Sequence, residues 1–273
     1  MTGWNSAPPP VRRIGLGGYA RFVWRALTIG LLTYGGLLIL LVLRLVEIPL
    51  YGVARPWTPT ITRLVCRAAL AVMGLPLVVH GTPMTEAGAT VSNHSSWLDV
   101  LVLNATHDLF FVAKAEVANW PVINWLARAT GTVFITRKGG EIKRQKAIFE
   151  DRLQAGHRLL FFPEGTSTDA IRVLPFKSSL FEAFYAPGLR ASMHIQPVTV
   201  VFHAPEGEDP RFYGWWGDID FGSHFLHMLA ARRHGRVEVT FHPQVPVDAF
   251  DSRKTLALHC ERVIRTAHVN AEA

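Results

Sequence analysis

Cysteine is almost missing from this chain. Cys66 and Cys260 are the only two in 273 residues, far apart and outside any metal-ligand or redox spacing, which rules out a disulfide scaffold and suits two unpaired thiols in a reducing compartment. Acid is also short, 21 residues against 28 lysines and arginines, so the formal charge is +7 and the surface favours anionic partners: nucleic acid, acidic lipid or a phosphorylated substrate. Charged residues of both signs reach only 18%, while hydrophobic ones make up 49% and crowd toward the N-terminus. That imbalance points to lipid. No internal repeat occurs, low complexity is confined to the prolines at 8–10, and the close histidine pair, His224 with His227, lacks the further ligands a metal would need.

Residues 26–43 form an uncharged apolar run that stops at Arg44 and Glu47. It sits at the lower limit of the roughly 20 residues a spanning helix needs. It is too long and too late for a cleaved signal and no small-residue cleavage site follows, so it is expected to stay in the mature protein. Arg12, Arg13, Arg21 and Arg25 precede it and Arg44, Arg55, Arg63 and Arg67 follow it, which leaves its orientation undecided. A second apolar stretch, residues 61–79, carries Arg63 and Arg67 one helical turn apart, and Pro49, Pro56 and Pro59 break the two segments. Two topologies are open: a spanning anchor, or a hairpin that dips into one leaflet.

Beyond residue 77 the pattern changes to short β-rich runs alternating with helical ones. Strands are expected at 77–80, 90–92, 109–113, 132–135, 158–162, 195–202 and 237–241, and helices at 97–105, 121–129, 140–155, 178–185 and 253–268. Such alternation predicts an α/β domain with a mostly parallel or mixed sheet. The expected organisation is a basic segment over 1–25, a membrane anchor or re-entrant helical hairpin over 26–76, and the α/β domain over 77–273.

Residues 93–99 read N-H-S-S-W-L-D. A strand ending at Ser92 and a helix beginning near Trp97, capped by Ser95 or Ser96, put His94 in the turn between them. Five residues on an ideal helix set two side chains apart, so His94 meets Asp99 only if it lies ahead of the helix and folds back over it. Asp99 would then fix the ring tautomer and leave the second nitrogen as a base, a contribution of roughly 10² to 10⁴ in rate. The bland alternative is a capping histidine beside a solvated aspartate. Downstream, F-P-E-G-T at 162–166 follows an apolar strand, which places Glu164, Gly165 and Thr166 at a strand's carboxyl end, where open α/β sheets keep their ligands. Gly165 permits close backbone approach, and Thr166, Ser167 and Thr168 offer hydroxyls; a plain polar turn is the competing reading. A third run, G-T-V-F-I-T-R at 131–137, leaves Arg137 and Lys138 just past a strand, suited to phosphate or to a merely solvated turn. Lys114, Arg172 and Lys177 occupy comparable positions with a weaker signal.

These blocks, with I-Q-P-V at 195–198, resemble in order and separation the glycerophospholipid acyltransferase superfamily, specifically the 1-acyl-glycerol-3-phosphate acyltransferases and their lysolipid relatives, over residues 77–197. The resemblance implies an acyltransferase-type mixed sheet with flanking helices behind N-terminal membrane helices. It implies His94 as general base, Asp99 as its orienting partner, Arg137 on the acceptor's head group, and Glu164, Gly165 and Thr166 on its backbone. The acceptor hydroxyl would attack the thioester of acyl-carrier protein or acyl-CoA directly, with no cofactor, metal or acyl-enzyme, in keeping with the absence of a G-x-S-x-G elbow. Residues 213–229, Y-G-W-W-G-D-I-D-F-G-S-H-F-L-H-M-L, resemble a segment of lyso-ornithine lipid acyltransferases, which acylate the 3-hydroxyl of an amide-linked fatty acid; Trp215 and Trp216 equally suit interfacial anchoring. A cytosolic donor implies a bacterial inner membrane location with the catalytic domain facing the cytoplasm, held to anionic lipid by its basic surface.

Two other classes are open to these residues. The same His–Asp pair can activate water, giving a lipid ester or thioester hydrolase. The cluster Arg137, Lys138, Lys143, Arg144 and Lys146 could serve a non-enzymatic binder of membrane or nucleic acid, although no nucleic-acid motif accompanies it.

Overall fold

The structure is a computed structural model and describes residues 13–120, 123–135, 142–186 and 188–272. Its first element, α1 (Leu16–Tyr51), is a single helix of 36 residues. Arg44 and Glu47, expected to end the apolar run, lie inside it. Glu47 is buried because its oxygens take an Arg44 guanidinium at 3.0 Å, the Thr58 hydroxyl at 2.9 Å and the N–H groups of Trp57 and Thr58 at 2.7 and 3.0 Å. Pro49 falls in the last turn, where its missing donor costs little, so the helix runs past it. The second helix, α2 (Thr58–Met73), has Pro59 in its first turn and ends at Gly74, whose φ of 75° is the left-handed cap that glycine adopts without strain. The apolar stretch expected to reach residue 79 is therefore divided between α2 and the first strand.

Among the described residues eight strands make one mixed sheet: β1 (Leu77–His80), β2 (Gly88–Ser92), β3 (Phe110–Lys114), β4 (Val133–Ile135), β5 (Leu159–Phe161), β6 (His194–His203), β7 (Arg236–Phe241) and β8 (Val245–Pro246). Their order is β1-β7-β6-β2-β5-β3-β4, with β8 beside β6. The block β6-β2-β5-β3-β4 is parallel, and the antiparallel β6–β7 and β6–β8 pairs make the sheet mixed. Connecting helices are α3 (Leu98–Thr106), α4 (Ile123–Ala129), α5 (Ile142–Gln154), α6 (Phe221–Ala230) and α7 (Arg253–Glu272). The helix expected over 178–185 is a 3₁₀-helix, and α6, which holds His224 and His227, was not among the bounded helices expected.

Each face of the sheet carries a core. On one side Phe149 and Leu153 of α5, Phe181 and Phe184, and Leu256, Cys260 and Ile264 of α7 cover Val91, Leu159, Phe161 and Ile195. On the other, Leu70 and Met73 of α2, Leu98 and Val102 of α3, and Met228 and Leu229 of α6 cover Leu160, Val198, Val200 and Val239. Because α2 contributes to this second core, the helical hairpin is continuous with the α/β domain. Its start at Leu16 also puts the expected boundary at residue 25 inside α1. Both cysteines are buried and free, and burial pushes both thiols up to about 12, which makes them inert.

Candidate active site

In the parallel pair β2–β5, Val91 stands opposite Phe161, so the segments after both strands leave the same sheet edge side by side. The first carries His94 and the second Glu164. Asn93 sets the departure from β2: its amide donates to the Val200 carbonyl and accepts from the Val200 N–H, both at 2.8 Å. The peptide of His94 is then held from both sides. Its N–H donates to Glu164 Oε1 at 2.7 Å, and its carbonyl accepts from the Thr168 N–H at 3.0 Å and the Thr168 hydroxyl at 3.1 Å.

The imidazole folds back over the start of α3, and Nδ1 meets Asp99 Oδ2 at 2.7 Å. That same oxygen accepts the N–H groups of Ser95 and Ser96 at 2.7 and 2.9 Å, so it is anchored by the otherwise unpaired donors at the helix start. Asp99 is fully buried, and the capping expected of Ser95 or Ser96 does not occur: Trp97 is the N-cap of α3 and makes no side-chain cap bond. With Nδ1–H donated to a carboxylate, Nε2 carries the lone pair on the side of the ring away from Asp99. Phe162 stacks on the imidazole, ring centroids 4.0 Å apart and planes 9° from parallel. It blocks one face and leaves the ring edge free.

Glu164 lies just past the carboxyl end of β5, as the motif suggested. The carboxylate is 1% exposed and its oxygens are taken by the N–H groups of His94 and of Leu174, the latter at 2.6 Å. It is turned inward, onto two part-buried amides that take both of its oxygens. Burial, with a smaller push from Asp99, raises its pKa to about 8 against the pull of the two amides. Gly165 follows at φ 70°, and a β-carbon there would stand 2.6 Å from Lys177 Nζ, so the lysine lies across the glycine. Thr166 is partly exposed beside it. Lys114 stands exposed at the carboxyl end of β3, on the same edge of the sheet. Arg137 and Lys138, and the side chains of Lys143, Arg144 and Lys146, lie outside the described residues.

Residues 77–201 match the family model described as Acyltransferase. Over 259 residues, 95% of this chain and 94% of the relative, the sequence is 54% identical to the lyso-ornithine lipid O-acyltransferase of Rhodobacter capsulatus. The chain belongs to the acyltransferase family. A second relative, the lyso-ornithine lipid O-acyltransferase of Brucella abortus, is 38% identical over 187 residues, 64% of this chain and 68% of that one. Among solved structures, the 1-acyl-sn-glycerophosphate acyltransferase PlsC of Thermotoga maritima superposes with a TM-score of 0.67 at 19% identity, over 94% of this chain and 96% of that chain, and shares its fold.

In this acyltransferase the segment 213–229 is built directly onto the histidine loop. Trp215 N–H donates to the Ser95 carbonyl at 2.9 Å, and Trp97 Nε1 donates to His224 Nδ1 at 2.9 Å. Burial drops the His224 pKa to about 4, which keeps the imidazole neutral and able to accept that bond. Trp97, Trp215, Phe221 and Phe225 form a ring cluster that Phe22 of α1 joins at one end and Trp120 at the other. Sequence reasoning gave no role to Phe162 or Asn93, offered the Thr168 hydroxyl to a ligand where it holds the His94 carbonyl, and did not foresee the ring contacts of Trp215. Alternation along β5 could have found Phe162, since Phe161 faces one core and the next residue must face the other side. Of the histidine pair considered for metal, His224 serves Trp97 and His227 bonds the Ser223 carbonyl of its own helix.

Proposed function

We propose that this acyltransferase moves a fatty acyl group from the thioester of acyl-carrier protein or acyl-CoA to the free 3-hydroxyl of lyso-ornithine lipid, giving ornithine lipid. The 54% identity, sustained over 95% of the chain, to a protein of that name carries the reading. In the mechanism His94 Nε2 takes the hydroxyl proton as the oxygen attacks the thioester carbonyl carbon. Asp99 holds the ring and offsets the imidazolium charge. The tetrahedral intermediate collapses with cleavage of the C–S bond, and the imidazolium returns its proton to the departing thiolate. Lys114, Thr166 and Arg137 are the groups we assign to the acceptor, with no metal or cofactor; the aromatic cluster around Trp215 is assigned to head-group selection.

The test is acyl transfer by purified protein in mixed micelles, with labelled acyl-carrier protein and with lyso-ornithine lipid or lysophosphatidic acid in parallel. Ornithine lipid is the expected product. Phosphatidic acid alone would move the protein to glycerophospholipid synthesis and make the Trp215 segment a membrane contact, and free fatty acid alone would make it a hydrolase.

We further propose that the hairpin lies in one leaflet of a bacterial inner membrane, with the catalytic domain on the cytoplasmic face. Near the start of α1, Arg21 and Arg25 donate to the carbonyls of Leu229, Ala230 and Ala231 at 2.7–3.0 Å, and just past its end Arg55 donates to the Ala129 carbonyl at 2.6 Å. Fastening to one domain near both ends of a helix about 54 Å long favours a helix lying along one leaflet over one that spans. Its exposed side is apolar, with Leu27, Leu31, Leu38 and Leu45 each at least 64% exposed. Single cysteines at Gly15 and Lys254, in a background lacking the two natural ones, should both react with an impermeant maleimide added to the cytoplasmic side. Labelling of the first only from the opposite side would establish a spanning helix.

A further inference from the structure

The histidine lies at the carboxyl ends of the parallel strands. At the opposite edge, where β3 and β5 begin, a cavity of about 260 Å³ lies under the link between α1 and α2, lined among others by Tyr51, Arg55, Asp108, Phe110, His157 and Arg158. Arg152 of α5 reaches the same region, its guanidinium 4.8 Å from the Phe110 ring centre, its Nε bonded to His157 Nδ1 and its Nη2 2.8 Å from the Gly131 carbonyl. Arg55 bonds the Ala129 carbonyl and Arg158 the Met84 carbonyl at 3.3 Å. These are neutral acceptors and leave the positive charge in place.

The nearby acids pair with groups other than Arg55, Arg152 and Arg158, although Asp108 Oδ1 makes no hydrogen bond. Asp108 lies 3.5 Å from Arg63 and accepts from Thr60, and Glu47 closes on Arg44 and the start of α2. Arg55, Arg152 and Arg158 therefore have no ion pair among the described residues. The resulting field is visible in the neighbours: burial, reinforced by the guanidinium groups of Arg152 and Arg55, pushes His157 down to about 4. Burial together with Arg55 and Arg44 brings Arg152 down to about 10. A cavity with excess positive charge calls for an anion.

Its rim says where the anion comes from. Tyr51 and Trp57 meet edge to face at 5.2 Å and are 46% and 40% exposed, and Val53 beside them is 67% exposed. An exposed Tyr–Trp pair over an apolar helix end suits the boundary between head groups and acyl chains. We propose that this cavity binds the phosphate of an anionic glycerophospholipid, with Arg55 and Arg158 donating to its oxygens and the acyl chains lying against Tyr51 and Val53. Guanidinium groups fit phosphate by paired N–H donation, and the bound lipid would fix the hairpin tip to the leaflet at a site separate from the catalytic edge.

The test uses the full chain in neutral detergent, titrated with dihexanoyl phosphatidylglycerol, dihexanoyl phosphatidylcholine or inorganic phosphate while the unfolding temperature is followed. Phosphatidylglycerol should raise it by about 5 °C at a hundredfold excess over Kd. Arg158→Lys should keep the rise and Arg158→Gln should lose more than half of it, while acyl transfer by Arg158→Gln in neutral micelles stays at the wild-type rate. An undiminished rise in Arg158→Gln, or an equal rise from phosphatidylcholine, would overturn the site. An equal rise from inorganic phosphate would keep the anion site and overturn its lipid occupant. If Arg158→Gln does not fold, a photoactivatable phosphatidylglycerol should crosslink the wild-type chain at 51–59 or 155–158, and crosslinks confined to other segments would refute the proposal.

Discussion

Asp99→Asn is expected to lower kcat for acyl transfer by about 10² to 10⁴ while leaving both KM values close to wild type. The buried oxygen it alters receives His94 Nδ1 and the N–H groups of Ser95 and Ser96. An asparagine oxygen can still serve the two serine amides, so the turn and α3 should survive. What is lost is the charge that stabilises the imidazolium. If the asparagine turns its NH₂ toward the ring, Nδ1 becomes the acceptor, the proton moves to Nε2 and the base disappears. His94→Ala removes the base outright and should cost at least as much. The double variant should be no worse than His94→Ala alone, because the two residues act as one unit. Single-turnover rates with labelled donor, taken beside thermal unfolding curves, separate chemistry from stability. Transfer by folded His94→Ala at a tenth of the wild-type rate or more would end the general-base reading.

The spacing H-x₄-D was legible because its condition could be stated beforehand: contact requires the histidine to lie ahead of the helix, and α3 begins at Leu98 with His94 folded back over it. The strands were legible for a similar reason. Fully buried parallel strands such as β2 and β5 are short apolar runs bounded by turn residues, and both appear within two residues of their expected limits. Alternation cannot see what a polar side chain will find after folding. Glu164 reads as an outward, ligand-facing acid, but its neighbours His94 and Leu174 are distant in sequence and only the loop crossing brings their amides to it. The same holds for Glu47, whose partners at 57 and 58 become reachable only when the hairpin closes. Helix α6 was glimpsed only as a plausible helix around His224 and His227 and given no bounds; its cap, Asp220 accepting the Ser223 N–H at 2.8 Å, was a usable signal.

Glu164→Ala should be among the most destabilising single changes in the catalytic domain. It strands two part-buried amides, each costing up to about 1–3 kcal/mol, and opens a cavity beside them. Against a total stability of roughly 5–15 kcal/mol, a sizeable fraction of the molecules should unfold at working temperature. Glu164→Gln keeps one amide paired and opposes the other with an NH₂ group, so about 1–3 kcal/mol is expected. Its kinetics discriminate between two roles. A carboxylate that bound the acceptor would raise the acceptor KM when neutralised; one that holds the His94 peptide, as its burial and bonds indicate, should lower kcat and leave that KM near wild type. Its titration adds an independent readout. The folded protein retains this proton up to about pH 8, whereas the unfolded chain releases it near the ordinary value of 4.5. Between those limits the folded state binds more protons, so stability should fall as pH rises across that window. Denaturation midpoints of the wild type should decline from pH 5 to pH 8 relative to those of Glu164→Gln, which has no proton to lose there. Parallel pH profiles for the two proteins would mean that the two amides hold the carboxylate ionised throughout.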